Sequence, residues 1–112
     1  MLRAGDLRDL IRFEESQVTR GTSGGMQTTW VPILEDVPAN VVHVNGSEKQ
    51  ETSKGGRAAV STKLFRIRFE EGVHEGMRIF YQEKFYDIQD IHNVKERDVV
   101  LAITASTGVH HG

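Results

Sequence analysis

Asp87, Asp90 and His92 form the one group in this sequence whose residue types and spacing could support catalysis. A carboxylate and an imidazole two residues apart on a strand face the same side, and such a pair can bind a metal ion or move a proton. Asp87 joins them only if an extra residue rephases the strand before Asp90. No third ligand stands at metal-binding spacing, and His43, His74, His110 and His111 fall in or near loops. Asp and His on one side of an antiparallel sheet are by default a solvated polar face, and that is the reading taken for these three. The patterns GxSxG, GxxxxGK[ST], GxGxxG and HExxH are all missing, so a nucleophile elbow, a phosphate cradle and a zinc-protease helix lack their residues. Gly55-Gly56-Arg57 has the composition of an anion-binding turn, but no helical pattern follows it and it reads as flexible loop. No catalytic, cofactor-binding or metal-ligating residue is assigned. The chain reads as a non-enzyme without a cofactor.

A second group concerns binding. Phe80, Tyr81, Phe85 and Tyr86 flank one hairpin, with Arg66 and Arg68 on the strand before it. In an oligonucleotide-binding barrel, aromatics and cations on one sheet face stack the bases and neutralise the strand, so a small nucleic-acid-binding barrel is the alternative reading. Adjacent aromatics on a strand point to opposite faces, however, so at least half of these must be core. Glu83, Asp87 and Asp90 nearby repel phosphate. Trp30 reads as a core or interface anchor.

Composition narrows the class. A chain of 112 residues supports one core, burying roughly two thirds of its unfolded surface. The net charge is -2, and the signs alternate along the chain. Residues 1–20 hold four Arg against two Asp and two Glu, and residues 83–98 hold three basic and five acidic side chains. That pattern lacks the basic stripe that tracks a phosphate backbone. No apolar run approaches the ~20 residues of a membrane span, and the charged N-terminus has no secretion-signal core. Cysteine is absent, which excludes disulfides, a zinc ribbon and a thiol nucleophile and suits a reducing cytoplasm.

Glycines fall between apolar-patterned segments, which is the composition of strands joined by turns. Residues 63–70 alternate Phe65, Ile67 and Phe69 with Arg66, Arg68 and Glu70. Residues 77–82 repeat the pattern with Met77, Ile79 and Tyr81. Glu83-Lys84 is the polar gap of a tight hairpin leading into residues 85–91. There Tyr86 and Ile88 share a face but Ile91 is out of phase, which predicts a β-bulge near Asp90. Val99, Leu101, Ile103 and Ala105 form a last strand. Residues 7–15 form a first strand through Leu10, Ile11 and Phe13, and residues 16–25 read as a Ser/Thr/Gly-rich linker. Residues 27–44 read as strand that is an edge, bulged or broken at Pro32 and Pro38. Residues 45–62 are a long polar loop, with at most one short helix over 47–53 capped by Ser47.

The expected fold is all-β: a small antiparallel β-barrel or sandwich of about six strands, one domain over residues 1–105, with residues 106–112 as a flexible tail. The expected core is Ile11, Phe13, Trp30, Phe65, Ile67, Phe69, Ile79, Tyr81, Ile88, Leu101 and Ile103.

The order of segments resembles the head–tail joining family of tailed bacteriophages, also called head closure, head completion or stopper proteins. Met1-Leu2-Arg3-Ala4-Gly5-Asp6-Leu7-Arg8 is similar to that family's M-R-A-G-x-L-R start, and leads into Leu10-Ile11-Arg12-Phe13. Thr28-Thr29-Trp30 begins a strand that ends in residues 37–44, followed by Gly46. Phe65-Arg66-Ile67-Arg68-Phe69 with Gly72-Val73 is the third feature. Met77-Arg78-Ile79-Phe80-Tyr81 with Phe85-Tyr86-Asp87-Ile88 is the fourth. The likeness spans residues 2–105; where the family often has W-A-x-V, this chain has Val37-Pro38-Ala39-Asn40-Val41.

The resemblance implies a virion protein assembled in the host cytoplasm. It would form a homo-oligomeric ring beneath the portal or its adaptor, retain the packaged DNA and dock a tail protein; tail completion is the alternative role. Double-stranded DNA would pass without sequence-specific binding, and no membrane is involved. On this reading the candidate loop facing the lumen or a neighbouring subunit comprises Asn45, Gly46, Ser47, Glu48, Lys49, Gln50, Glu51, Lys54, Gly55, Gly56 and Arg57, ordering on assembly.

Overall fold

A computed structural model describes residues 4–21, 24–44, 50–51, 57–58 and 60–107. After a short 3-10 turn at Ala4–Asp6, the strands are β1 (Asp9–Arg20), β2 (Met26–His43), β3 (Gln50–Glu51), β4 (Arg57–Ala58), β5 (Thr62–Arg68), β6 (Met77–Tyr81), β7 (Lys84–Asn93) and β8 (Val100–Thr107). Six of them close into a barrel in the order β1-β2-β5-β8-β7-β6, with every neighbouring pair antiparallel. Closure pairs residues 12–15 of β1 with 77–80 of β6 and removes the free edges an open sheet would have.

Period-two alternation explains the interior. Ile11 and Phe13 from β1, Phe65 and Ile67 from β5, Ile79 and Tyr81 from β6, Tyr86 and Ile88 from β7, and Leu101 and Ile103 from β8 are all buried. Phe65 sits at the centre, edge-on to Tyr81 at 5.7 Å and to Tyr86 at 5.4 Å between ring centroids. The extra residue foreseen near Asp90 is Gln89. Ile88 pairs with Ala105 and Asp90 with Thr104, so the register slips by one there and returns Ile91 to the inner side.

Four expectations need correction, and one is narrowed. Residues 16–25 are not a linker: β1 runs on to Arg20, and only residues 21–25 separate it from β2. The expectation for residues 27–44 holds in its bulged form: β2 is one strand of 18 residues, irregular beside both prolines. It gains two register shifts against β1, leaving extra residues around Ile33 and at Glu35-Asp36, where Asp36 has a φ of 54°. Residues 50–51 are extended and pair with 57–58, which excludes a helix over 47–53. The tail does not begin at 106, because Ser106 and Thr107 belong to β8 and Ser106 is buried. The β6–β7 turn is Gln82-Glu83 rather than Glu83-Lys84, with φ values of 51° and 66°. Both are left-handed, as a primed hairpin turn requires, and neither residue is Gly or Asn.

Candidate interaction surface on the barrel exterior

The alternation that sends Ile11 and Phe13 inward turns Arg12 and Glu14 outward. On β6 it turns out Arg78 and Phe80, and on β7 Phe85 and Asp87. Strand register then lines these residues up across three strands. Arg12 is opposite Phe80, which is opposite Phe85; Glu14 is opposite Arg78, which is opposite Asp87. Trp30 joins them from β2, opposite Ser16.

These side chains form a stacked platform. Glu14 accepts a hydrogen bond from Arg12 Nε at 2.8 Å through Oε2, and through Oε1 it accepts Nε and a terminal nitrogen of Arg78, both at 2.8 Å. Arg78 lies between two rings, 3.7 Å from the Phe85 centroid and 4.2 Å from that of Trp30. Phe85 continues onto Phe80 at 4.9 Å in a tilted arrangement, and Arg12 lies over the Phe80 ring at 4.3 Å. Although Glu14 belongs to the outer face, this cover leaves it 5% exposed, while Phe85 stays 40% exposed.

The chemistry of such a platform is recognition. Two guanidinium groups share the Glu14 carboxylate against an aromatic ledge, and Asp87 stands opposite Arg78 on the next strand. Trp, Phe and Arg held in place by their neighbours are the residue types that anchor protein interfaces. Phe80 and Phe85 are therefore occupied by arginine on this surface. Tyr81 and Tyr86 are in the core, where burial pushes both phenols above their ordinary range. At Tyr81 the nearby Asp9 carboxylate adds to the rise, and at Tyr86 a hydrogen bond with Ser61 opposes it.

The remaining sequence candidates are placed as follows. Asp87, Asp90 and His92 share the outer side of β7, rephased by the bulge, and among the described residues no three His, Asp or Glu gather to hold a metal ion. Of the loop 45–57, Gln50, Glu51 and Arg57 lie in the β3–β4 ladder and the other candidates are outside the described residues. Of the expected core residues, Trp30 and Phe69 are only partly buried: Trp30 belongs to the exterior platform, and Phe69 packs on the edge of the core. Arg12, Glu14 and Arg78 were missed as site residues. Their signal was the outward parity of charged residues beside aromatics on β1 and β6. A shallow groove of about 480 Å³, lined by Asp6, Asn40, Leu64, Arg66, Val94, Val100 and Ala102, lies elsewhere on the exterior.

The chain is thus a closed six-stranded antiparallel barrel with a filled interior and an arginine–aromatic cluster on its exterior. Residues 2–108 match the family model for phage head completion protein, and the chain belongs to that family of structural phage-head proteins. Among solved structures, the solution structure of protein SF1141 from Shigella flexneri 2a is similar with a TM-score of 0.70 and 23% identity, covering 98% of this chain and 100% of that one. A chain in the virion of the native gene transfer agent particle is similar with a TM-score of 0.66 and 20% identity, covering 92% of this chain and 96% of that one. No curated protein matches the sequence. Among the described residues no helix is long and apolar enough to cross a membrane.

Proposed function

We propose that this head completion protein is a connector subunit. Several copies form a ring beneath the portal or its adaptor, hold the packaged DNA in the head and offer the tail a docking surface. The family match across residues 2–108 carries this reading. The architecture suits it: the barrel interior is filled with side chains, so a channel has to come from the arrangement of copies. The Arg12–Phe80–Phe85–Arg78–Trp30 platform supplies a preformed contact for a neighbour or for portal and tail proteins. The loop of residues 45–57 faces the lumen or the next subunit. Its charges are mixed (Glu48, Lys49, Glu51, Lys54, Arg57), so its contact with passing DNA is weak, independent of sequence and sensitive to salt.

The test is electron microscopy of the full chain mixed with its portal, together with a deletion of residues 48–55. A ring beneath the portal is expected. The deletion variant should stay folded, while heads assembled with it leak DNA or fail to accept tails. Normal particle yield from the deletion removes the loop from the mechanism, and the absence of any ring on the portal removes the connector role.

A further inference from the structure

Past the barrel, residues 16–20 of β1 and 26–30 of β2 continue as a two-stranded arm. β6 pairs with β1 only at residues 12–15, and β5 pairs with β2 only at residues 40–43. Among the described residues, both outer edges of the arm are therefore unpaired. Residues 16–20 and 26–29 are exposed on both faces, including Val18 at 61% and Met26 at 65%. A lone two-stranded hairpin is marginal in water, and a third strand is the usual remedy. What this arm leaves unmet is two rows of edge N–H and C=O groups.

The two parts of the β2 edge differ. From Pro32 to Pro38 it is blocked by two residues without an N–H and by the bulges around Ile33 and Asp36. From Met26 to Val31 it has no proline, no bulge and no charge. On the β1 side, residues 16–19 are likewise uncharged, and Arg20 at the tip is the arm's single charge.

We infer that the arm is a strand-addition site whose occupant is the arm of a second copy, with the β1 edge of one copy set against the β2 edge of the next. One hairpin carries two different open edges, so each copy can offer one and accept the other. A neighbour's β2 beside β1 continues the antiparallel alternation found throughout the barrel. With one charge per arm, successive arms lie side by side without strong repulsion. The contact is heterologous, so repetition closes a ring wherever the rotation allows. It rests on the connector reading only in that its partner is another copy.

The ladder dictates the test. Gly21 N–H donates to the Gly25 carbonyl at 2.6 Å, which makes Thr19/Gln27 and Gln17/Thr29 the hydrogen-bonded pairs. Val18 and Thr28, opposite each other, then turn their N–H groups outward. Pro32, opposite Glu14, falls in the same outward class, where the hairpin loses no bond. Val18→Pro and Thr28→Pro therefore each remove an edge donor while keeping the hairpin's own ladder. The full chain at millimolar concentration is expected to self-associate by light scattering, with slow exchange of the Val18 and Thr28 amides that becomes fast on dilution. Each proline variant should weaken association about tenfold or more while melting like the parent. Assembly that is unchanged in both variants, with fast arm amides, overturns the arm contact and leaves the ring standing. A chain that remains monomeric throughout overturns the arm contact, while the connector reading stands or falls on the ring at the portal.

Discussion

Replacing Arg78 by alanine should destabilise the fold far more than an ordinary surface charge would. The Arg78 side chain is 16% exposed and its carboxylate partner on Glu14 is 6% exposed, so both are largely out of water. Breaking a buried pair by removing one member costs about 3–5 kcal/mol, and the lower end applies because Arg12 still holds Glu14. The lost contacts with Phe85 and Trp30 add about 0.5–1 kcal/mol each. A total of about 4 kcal/mol is a large part of the roughly 6–17 kcal/mol expected for 112 residues. It corresponds to a fall in Tm of about 15 °C, measurable by circular dichroism during heating and in urea. A cycle with Arg78→Met and Glu14→Gln should show a coupling of about 2 kcal/mol. A cost below about 1 kcal/mol with additive single variants would mean that the pair behaves as an exposed ion pair, and the platform would then not be preorganised.

Two further outcomes concern the turn and the core tyrosines. Gln82→Asn together with Glu83→Gly should raise stability by about 1 kcal/mol in urea unfolding, because both positions have positive φ and Asn-Gly suits that turn; a loss would show that the existing side chains hold the hairpin. Tyr81 and Tyr86 have raised pKa values, mainly from burial, whereas unfolded tyrosine titrates at 10.0. Their contribution is therefore complete below that pH and is lost as pH climbs through the higher folded values. Tyr81→Phe should flatten the alkaline fall in stability, and an unchanged slope would exclude the phenol as its cause.

The parts of the fold legible in the sequence are those where one strand face is buried and the other wet. Phe65 and Ile67, Ile79 and Tyr81, and Leu101 and Ile103 announced their strands by alternation, and the misplaced Ile91 announced the bulge at Gln89. The arm gave no such signal, because once it leaves the barrel neither face is buried and Ser16 to Arg20 look like linker. β2 was obscured because its prolines occupy positions where the other edge is open. The platform was hidden by distance along the chain: Glu14 and Arg78 are brought together only by barrel closure between β1 and β6. Parity marks each residue as outward-facing, but strand neighbours are set by topology.

The strand order also governs when the protein becomes safe to handle. β8 follows the other barrel strands in the chain, yet it sits between β5 and β7 and pairs with both along most of its length. A nascent chain that has emerged only as far as Asn93 holds two long complementary edges apart with nothing to join them. Pairings so remote in sequence form slowly, and open edges meanwhile can capture other chains. Folding is therefore a late event that follows synthesis of the last strand. The vulnerable species is the growing chain, and in the finished barrel the edges of β5 and β7 are both taken by β8.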